Sequence, residues 1–107
     1  MTTREEAQVD SVVRHRGAFF RVLQQTARTQ SAVMTIAAGA DGGPAEAHGG
    51  HQIVYVLEGE AIVRVEEREH RAGPGTLLTI PAGAVHHVRN PGPAALFFLT
   101  VYAPPEY

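Results

Sequence analysis

The amino-acid sequence predicts an all-β fold that forms a single domain. Short apolar runs alternate with turn signals every eight to twelve residues along most of the chain. No stretch of helical apolar periodicity exceeds ten residues. The 107 residues include 11 glycines and 7 prolines, which indicates many turns, and 44% of them are hydrophobic, which is enough for one core. Regularly spaced short strands are typical of a β-sandwich or a β-barrel.

The first residues differ in composition from the rest of the chain. Residues 1–16 are polar and charged, so they predict an N-terminal arm, and residues 17–107 form the predicted barrel domain. A short helix around Arg4–Asp10 is an alternative to an extended arm.

The first half of the domain contains four extended segments. Two apolar segments come first, and a loop with glycines and a proline at residues 39–44 separates them from a short extended piece. A β-branched run follows and ends at the turn Glu58-Gly59. The four segments are Ala18–Gln24, Ser31–Ala38, Glu46–His48 and Gln52–Leu57.

The second half of the domain is predicted to contain four further strands. The segment Glu60–Glu66 alternates in part between apolar and charged residues, as a half-buried strand does. A charged turn is predicted at Glu67–His70, within a solvated hairpin. Turns with proline and glycine separate the last strands, which are Thr76–Ile80, Val85–Arg89 and Ala95–Tyr102, and a tail follows.

Two of these strands are apolar on both faces. Neither Ile53–Leu57 nor Leu96–Val101 shows the alternation expected of a sheet that has one face in water. A second subunit or the N-terminal arm would cover the outer face. We therefore expect a homodimer.

The composition excludes several classes of function. The formal net charge of −2 gives no general attraction to nucleic acid or to anionic membranes. The absence of cysteine excludes thiolate metal sites and cysteine nucleophiles. All 9 basic residues are arginine, so no Schiff-base lysine is present. No segment reaches the ~20 apolar residues of a membrane helix, and we expect a cytoplasmic protein.

Histidines form two clusters beside predicted turns. His48 and His51 lie in the first cluster, and His86 and His87 lie in the second. On an extended strand, Glu46 and His48 share one face because they are two residues apart. Imidazole groups beside a carboxylate are typical of a transition-metal site.

The second cluster carries a family resemblance. Its spacing is G-x5-P-x-G-x2-H-x3-N, and it is formed by Gly75, Pro81, Gly83, His86 and Asn90. This spacing is similar, without a gap, to the second conserved motif of the cupin superfamily. The chain thus resembles a small single-domain cupin, and the resemblance implies a double-stranded β-helix, a jelly-roll barrel that is open at one end.

The first cupin motif, G-x5-H-x-H-x3,4-E-x6-G, is present in altered form. Read backward from Gly59, its glutamate falls on Gln52, and its two histidines fall on Glu46 and His48. Carboxylate and amide oxygens also bind divalent ions, so the resemblance still implies a metal site. The implied ligands are Glu46, His48, Gln52 and His86, which suit Fe, Mn, Ni or Zn.

The two neighbouring histidines leave alternatives open. His51 points away from Gln52 on a regular strand, but it replaces Gln52 as a ligand if the preceding turn is one residue longer. His51 is also the best candidate for a catalytic general base if it reaches the cavity, since histidine changes its charge near neutral pH. His87 alternates away from His86 and is expected to be structural or solvent-facing.

These observations lead to one functional expectation and one alternative. We expect a metal-dependent enzyme that acts on a small oxygen-bearing organic molecule, and the resemblance leaves oxygenase, isomerase and decarboxylase chemistry open. The alternative is a non-catalytic cupin that binds a small molecule or a metal.

Overall fold

The structure is a computed structural model that describes residues 5–107, and it confirms the predicted all-β fold. Its eight strands are β1 (Phe20–Gln25), β2 (Gln30–Ile36), β3 (His51–Glu58), β4 (Ala61–Val65), β5 (Arg68–Ala72), β6 (Leu77–Ile80), β7 (His86–Arg89) and β8 (Leu96–Ala103). They form a five-stranded sheet in the order β1-β2-β8-β3-β6 and a three-stranded sheet in the order β5-β4-β7. All pairings between these strands are antiparallel.

One predicted turn is a strand. Residues Arg68–Ala72 form β5, whereas the sequence predicted a charged turn at Glu67–His70. The hairpin itself is present, because β5 pairs with β4 and the chain reverses at Glu66, where φ is +54°. The side chains of β5 are mostly exposed, so backbone pairing rather than apolar burial forms this edge strand, and a hydrophobicity pattern does not reveal it.

The arm contains little regular structure. Residues 5–11 form neither helix nor strand, and a short 3-10 helix spans Val12–His15; Arg4, in the helix considered above, lies outside the described residues. Two hydrogen bonds between Gln8 and the main chain of Gln25 fix the arm beside β1. Arg16 then pairs with Glu58 and stacks 6.0 Å from the ring centre of Phe97.

The interior of the barrel is polar at one end and apolar elsewhere. The strand register places Gln30, Tyr102 and Gln52 side by side in one row across β2, β8 and β3. The neighbouring rows turn mainly aliphatic and aromatic side chains, such as Val54 and Phe98, toward the core. The end of the barrel that carries the polar row is therefore the end where we look for a functional site.

The outer face of the large sheet is partly covered. Phe97 on β8 is only 1% exposed and lies beneath Arg16. In contrast, Ile53 and Tyr55 on β3 are 37% and 38% exposed, and Leu77 on β6 is 65% exposed. The arm therefore covers part of the apolar face, and the homodimer inferred from the sequence stays a prediction.

Candidate metal centre

A pair of backbone hydrogen bonds brings the two sequence motifs together. The amide of Glu46 donates to the carbonyl of His86 at 3.0 Å, and the amide of His86 donates to the carbonyl of Glu46 at 2.9 Å. Directly opposed residues of an antiparallel pair project their side chains to the same face. The carboxylate of Glu46 and the imidazole of His86 are therefore neighbours.

His48 lies in the same chain segment as Glu46 and is the third member of the cluster. Its carbonyl accepts a hydrogen bond from the amide of Gly83 at 2.8 Å, which ties it to the turn before β7. Gly83 has a φ of +80°, in the left-handed region that glycine adopts without strain. This turn thus positions both histidines, and the rings of His48 and His86 have centroids 4.9 Å apart.

The three side chains can converge on one ion. One carboxylate oxygen of Glu46 and one ring nitrogen each of His48 and His86 lie within 4.8 Å of one another. His86 Nδ1 donates to the carbonyl of Ala84 at 3.0 Å, which leaves its Nε2 free to accept. Histidines that ligate a metal through one ring nitrogen typically donate a hydrogen bond from the other, and this bond orients the ring.

Two buried polar atoms in this region have no hydrogen-bond partner among residues 5–107. They are His48 Nε2, which lies 3.6 Å from Glu46 Oε1, and Gln52 Oε1. The amide of Gln52 donates to Thr100 Oγ1 at 3.0 Å, so the amide orientation is fixed with its oxygen unpaired. A buried acceptor without a donor costs about 1–3 kcal/mol. A bound cation would satisfy both atoms, so the residues present fit a metal ion.

A small cavity adjoins the cluster. Its volume is about 50 Å³, and Glu46, Gln52 and His86 lie in its wall. Much of the remaining wall is apolar or aromatic and includes Phe20, Met34, Val88, Phe98, Tyr102 and Tyr107. Apolar walls with a few convergent polar groups are typical of small-molecule sites.

The two neighbouring histidines occupy different places. His51 is exposed, is not part of the cavity wall, and accepts a hydrogen bond at Nδ1 from the amide of Ala82 at 3.0 Å. Its position gives no support to the catalytic role considered from the sequence, which stays a prediction. His87 contributes to the cavity wall, and its Nε2 lies 3.4 Å from Asp41 Oδ2.

Sequence reasoning missed three residues around the cluster, which are Gln30, Glu106 and Tyr107. The segment after β8, which contains Glu106 and Tyr107, is predicted as a tail. In the structure, the hydroxyl of Tyr107 donates to Glu46 Oε1 at 3.2 Å, and Glu106 Oε1 lies 3.5 Å from His48 Nδ1. Gln30 binds the main chain of this segment. A strand pattern carries no signal for such distant contacts.

Burial changes the ionisation of the two tyrosines. Desolvation raises the pKa of Tyr102 well above its ordinary value, and nearby Tyr107 adds to the effect. Desolvation also raises the pKa of Tyr107, and the charge of Glu46 raises it further. Both phenols are therefore neutral hydrogen-bonding groups at physiological pH.

The comparisons with known proteins agree with this architecture. The cupin domain family matches residues 32–102 of the chain. A solved structure from Bacillus halodurans is 33% identical, with a TM-score of 0.82, over 90% of this chain and 76% of the other. A solved structure from Thermus thermophilus is 29% identical, with a TM-score of 0.79, over 92% of this chain and 98% of the other.

A curated relative matches over a shorter stretch. It is the MmsAB operon regulatory protein of Pseudomonas aeruginosa, which is 42% identical over 45 residues. The stretch represents 38% of this chain and 15% of the regulator, so the chain spans a small part of that relative.

The fold and the site together define the class of protein. Two antiparallel sheets form a jelly-roll β-barrel that holds a group of two histidines and a glutamate able to bind a metal. The chain belongs to the cupin family, as the sequence resemblance implied. Within residues 5–107, the structure has no helix that is long and apolar enough to cross a membrane.

Proposed function

We propose that this cupin binds a divalent transition metal and acts as a metal-dependent enzyme on a small oxygen-bearing organic molecule. The proposed ligands are Glu46, His48, Gln52 and His86. The observation that carries the proposal is the pair of unpaired buried atoms, His48 Nε2 and Gln52 Oε1, beside two further donor groups. Each atom is costly without a partner, and one cation would satisfy both.

The donor set limits the ions that fit. Two imidazole nitrogens and two oxygens suit Fe, Mn, Ni or Zn, and the absence of cysteine removes thiolate ligands that would favour softer ions. An ion bound there would supply Lewis-acid chemistry to the oxygen atoms of a ligand. Four protein ligands leave about two positions of an octahedral ion for water or substrate.

The chain's own residues would bind and orient the organic molecule. Phe20, Met34 and Phe98 offer apolar surface that would hold its carbon skeleton and exclude water. Tyr102 and Tyr107 provide neutral phenol groups in the same wall. A cavity of about 50 Å³ favours a small substrate, and oxygenation, isomerisation and decarboxylation all remain open as its reaction.

The second candidate function is binding without catalysis. The partial match to an operon regulatory protein favours it, since the shared 45 residues belong to a protein named for regulation rather than for catalysis. In this alternative, the same cavity would serve as a small-molecule or metal sensor.

Metal analysis combined with turnover distinguishes the two candidates. Protein purified without chelator is analysed for bound metals and then supplied with small diketones, hydroxyketones and keto acids, while oxygen uptake and product formation are followed. The enzyme is supported if the wild type holds a stoichiometric transition metal and turns over a substrate, and if the His86→Ala variant loses both. His70→Ala, on the exposed strand β5, is the control that should retain both. Ligand binding without turnover supports the binding role. Protein that neither retains nor takes up these metals contradicts the metal-dependent enzyme and the metal sensor.

A further inference from the structure

Residues 104–107, which follow β8, fold back toward the candidate metal centre, and we call this segment the strap. Gln30 on β2 holds its main chain with three hydrogen bonds. Gln30 Oε1 accepts from the amides of Glu106 at 3.1 Å and Tyr107 at 2.9 Å, and Gln30 Nε2 donates to the carbonyl of Tyr107 at 2.6 Å. Gln30 is only 1% exposed, so a buried side chain on the barrel wall fixes the strap.

Tyr107 extends from the strap into the mouth of the cavity. Its ring packs 5.0 Å from Phe20 and 5.3 Å from Tyr102 between centroids. Its hydroxyl donates to Glu46 Oε1, which is the atom that lies 3.6 Å from His48 Nε2. Tyr107 therefore fixes one candidate ligand and forms part of the cavity wall at the same time.

Glu106 reaches the other ring nitrogen of the buried histidine. Its Oε1 lies 3.5 Å from His48 Nδ1, while His48 Nε2 is the nitrogen without a partner. Glu46 Oε1 lies at a similar distance, 3.6 Å, from Nε2, but Glu46 is itself a candidate ligand. A cation held by Glu46 and Nε2 would leave the ring hydrogen on Nδ1, and the carboxylate of Glu106 beside Nδ1 would favour that tautomer. Glu106 thus sits where it would turn Nε2 toward an ion.

The anchoring of the strap is separate from these two contacts. Gln30 binds the main chain of the strap, so it would hold the segment whatever side chains residues 106 and 107 carried. The side chains of Glu106 and Tyr107 nevertheless both meet a candidate ligand. This separation allows each side chain to be changed while the main-chain anchor remains.

We propose that the strap is a functional part of the metal centre, in which Glu106 orients His48 and Tyr107 holds Glu46 and closes the mouth of the cavity. Both are positioning residues, because each acts on a ligand rather than on the ion. The proposal rests on the proposed function, since it assumes that the cluster binds a metal.

Nickel binding and release test this proposal in the full chain. Affinity for Ni²⁺ is measured by calorimetry, and release of Ni²⁺ to excess EDTA is followed by stopped flow. The variants are Glu106→Gln, Tyr107→Phe and Tyr107→Ala. The matched controls are Glu67→Gln, in the exposed turn between β4 and β5, and Tyr55→Phe, on the outer sheet face. Thermal unfolding of the metal-free variants checks that the fold is retained.

The expected results separate the two side chains. Glu106→Gln should weaken Ni²⁺ binding by about 10-fold, as loss of an outer partner of a ligating histidine does. Tyr107→Ala should release the ion to EDTA several-fold faster than the wild type. Tyr107→Phe should lose affinity and release the ion faster than the wild type, because the hydroxyl that holds Glu46 is absent, but more slowly than Tyr107→Ala, because the ring remains.

Two outcomes would overturn different parts of the account. If the wild type binds Ni²⁺ and all three strap variants match the controls in affinity and release, the strap proposal is wrong and the metal site stands. If neither the wild type nor the controls bind Ni²⁺ or the other candidate ions, the proposed function fails, and the role of the strap fails with it.

Discussion

The imidazole rings of His48 and His86 lie with their centroids 4.9 Å apart and their planes tilted by 59°. His48 lies in the segment before β3 and His86 begins β7, and the reciprocal backbone bonds between Glu46 and His86 bring the two segments together. This pairing gives the barrel a polar end where three potential ligands meet.

Gln52→Glu should bind Mn²⁺ more tightly than the wild type, with a dissociation constant lower by about 10-fold, because a charged oxygen is a better ligand than an amide oxygen. Without metal, the same variant should be less stable, since it places a second carboxylate in a buried site near Glu46. Calorimetry with Mn²⁺ and thermal melts with and without metal measure both effects. Unchanged affinity would show that residue 52 is not a ligand.

Gly59→Ala should lower the free energy of unfolding by more than about 2 kcal/mol. Gly59 has a φ of +82°, and a Cβ there would clash with the carbonyl oxygen of Ala95. Gly75→Ala is a control for strain alone, because Gly75 has a φ of +85° and open space around it, and its expected cost is about 1 kcal/mol. Gly49→Ala, with open space and no positive φ, should be nearly neutral. Urea titrations measure the series, and equal losses in all three variants would contradict the close packing at Gly59.

Stability should fall at alkaline pH through Tyr102. Burial raises the pKa of Tyr102 in the folded state above its ordinary value of 10.0. The unfolded chain therefore loses this proton first, so the contribution of Tyr102 is complete below about pH 10 and decreases above it, by at most about 1.4 kcal/mol per pH unit. Urea unfolding of metal-free protein at several alkaline pH values measures the slope. The slope should be smaller in Tyr102→Phe, and an unchanged slope would contradict this assignment.

A homodimer should form through the exposed apolar face of the large sheet. Ile53, Tyr55 and Leu77 remain partly exposed there, while the arm and Arg16 cover the neighbouring Phe97. Sedimentation at micromolar concentration should give twice the mass of the chain, and Leu77→Glu should give a monomer. His70→Glu, on the exposed edge strand β5, is a control that should remain dimeric. A wild-type protein that sediments as a monomer would refute this prediction.

Local patterns in the sequence predicted most of the fold. Strands such as β3 and β8 combine β-branched or aromatic residues with nearby turn signals, and these features depend on neighbouring residues alone. The charged strand β5 escaped detection because its pairing with β4, rather than apolar burial, defines it. Backbone pairing of exposed residues leaves little trace in composition.

The candidate site was predictable only in part. His86 and the Glu46–His48 pair could be predicted because they lie in motifs whose residues have fixed distances from a turn. The roles of Gln30, Glu106 and Tyr107 depend on contacts between residues far apart in the sequence. A short segment with two prolines offers no periodicity from which its path across the cavity mouth could be inferred.

Metal stoichiometry in histidine variants tests whether His48 and His86 hold a metal ion. The proteins compared are the wild type, His86→Ala, His48→Ala and the control His51→Ala. Each is purified without chelator, incubated with equimolar Mn²⁺, Fe²⁺, Ni²⁺ or Zn²⁺ and desalted, and its bound metal is then measured by mass spectrometry. We expect about one ion per chain in the wild type and in His51→Ala, and almost none in the other two variants. Stoichiometric metal in folded His86→Ala and His48→Ala would contradict a metal centre at this cluster.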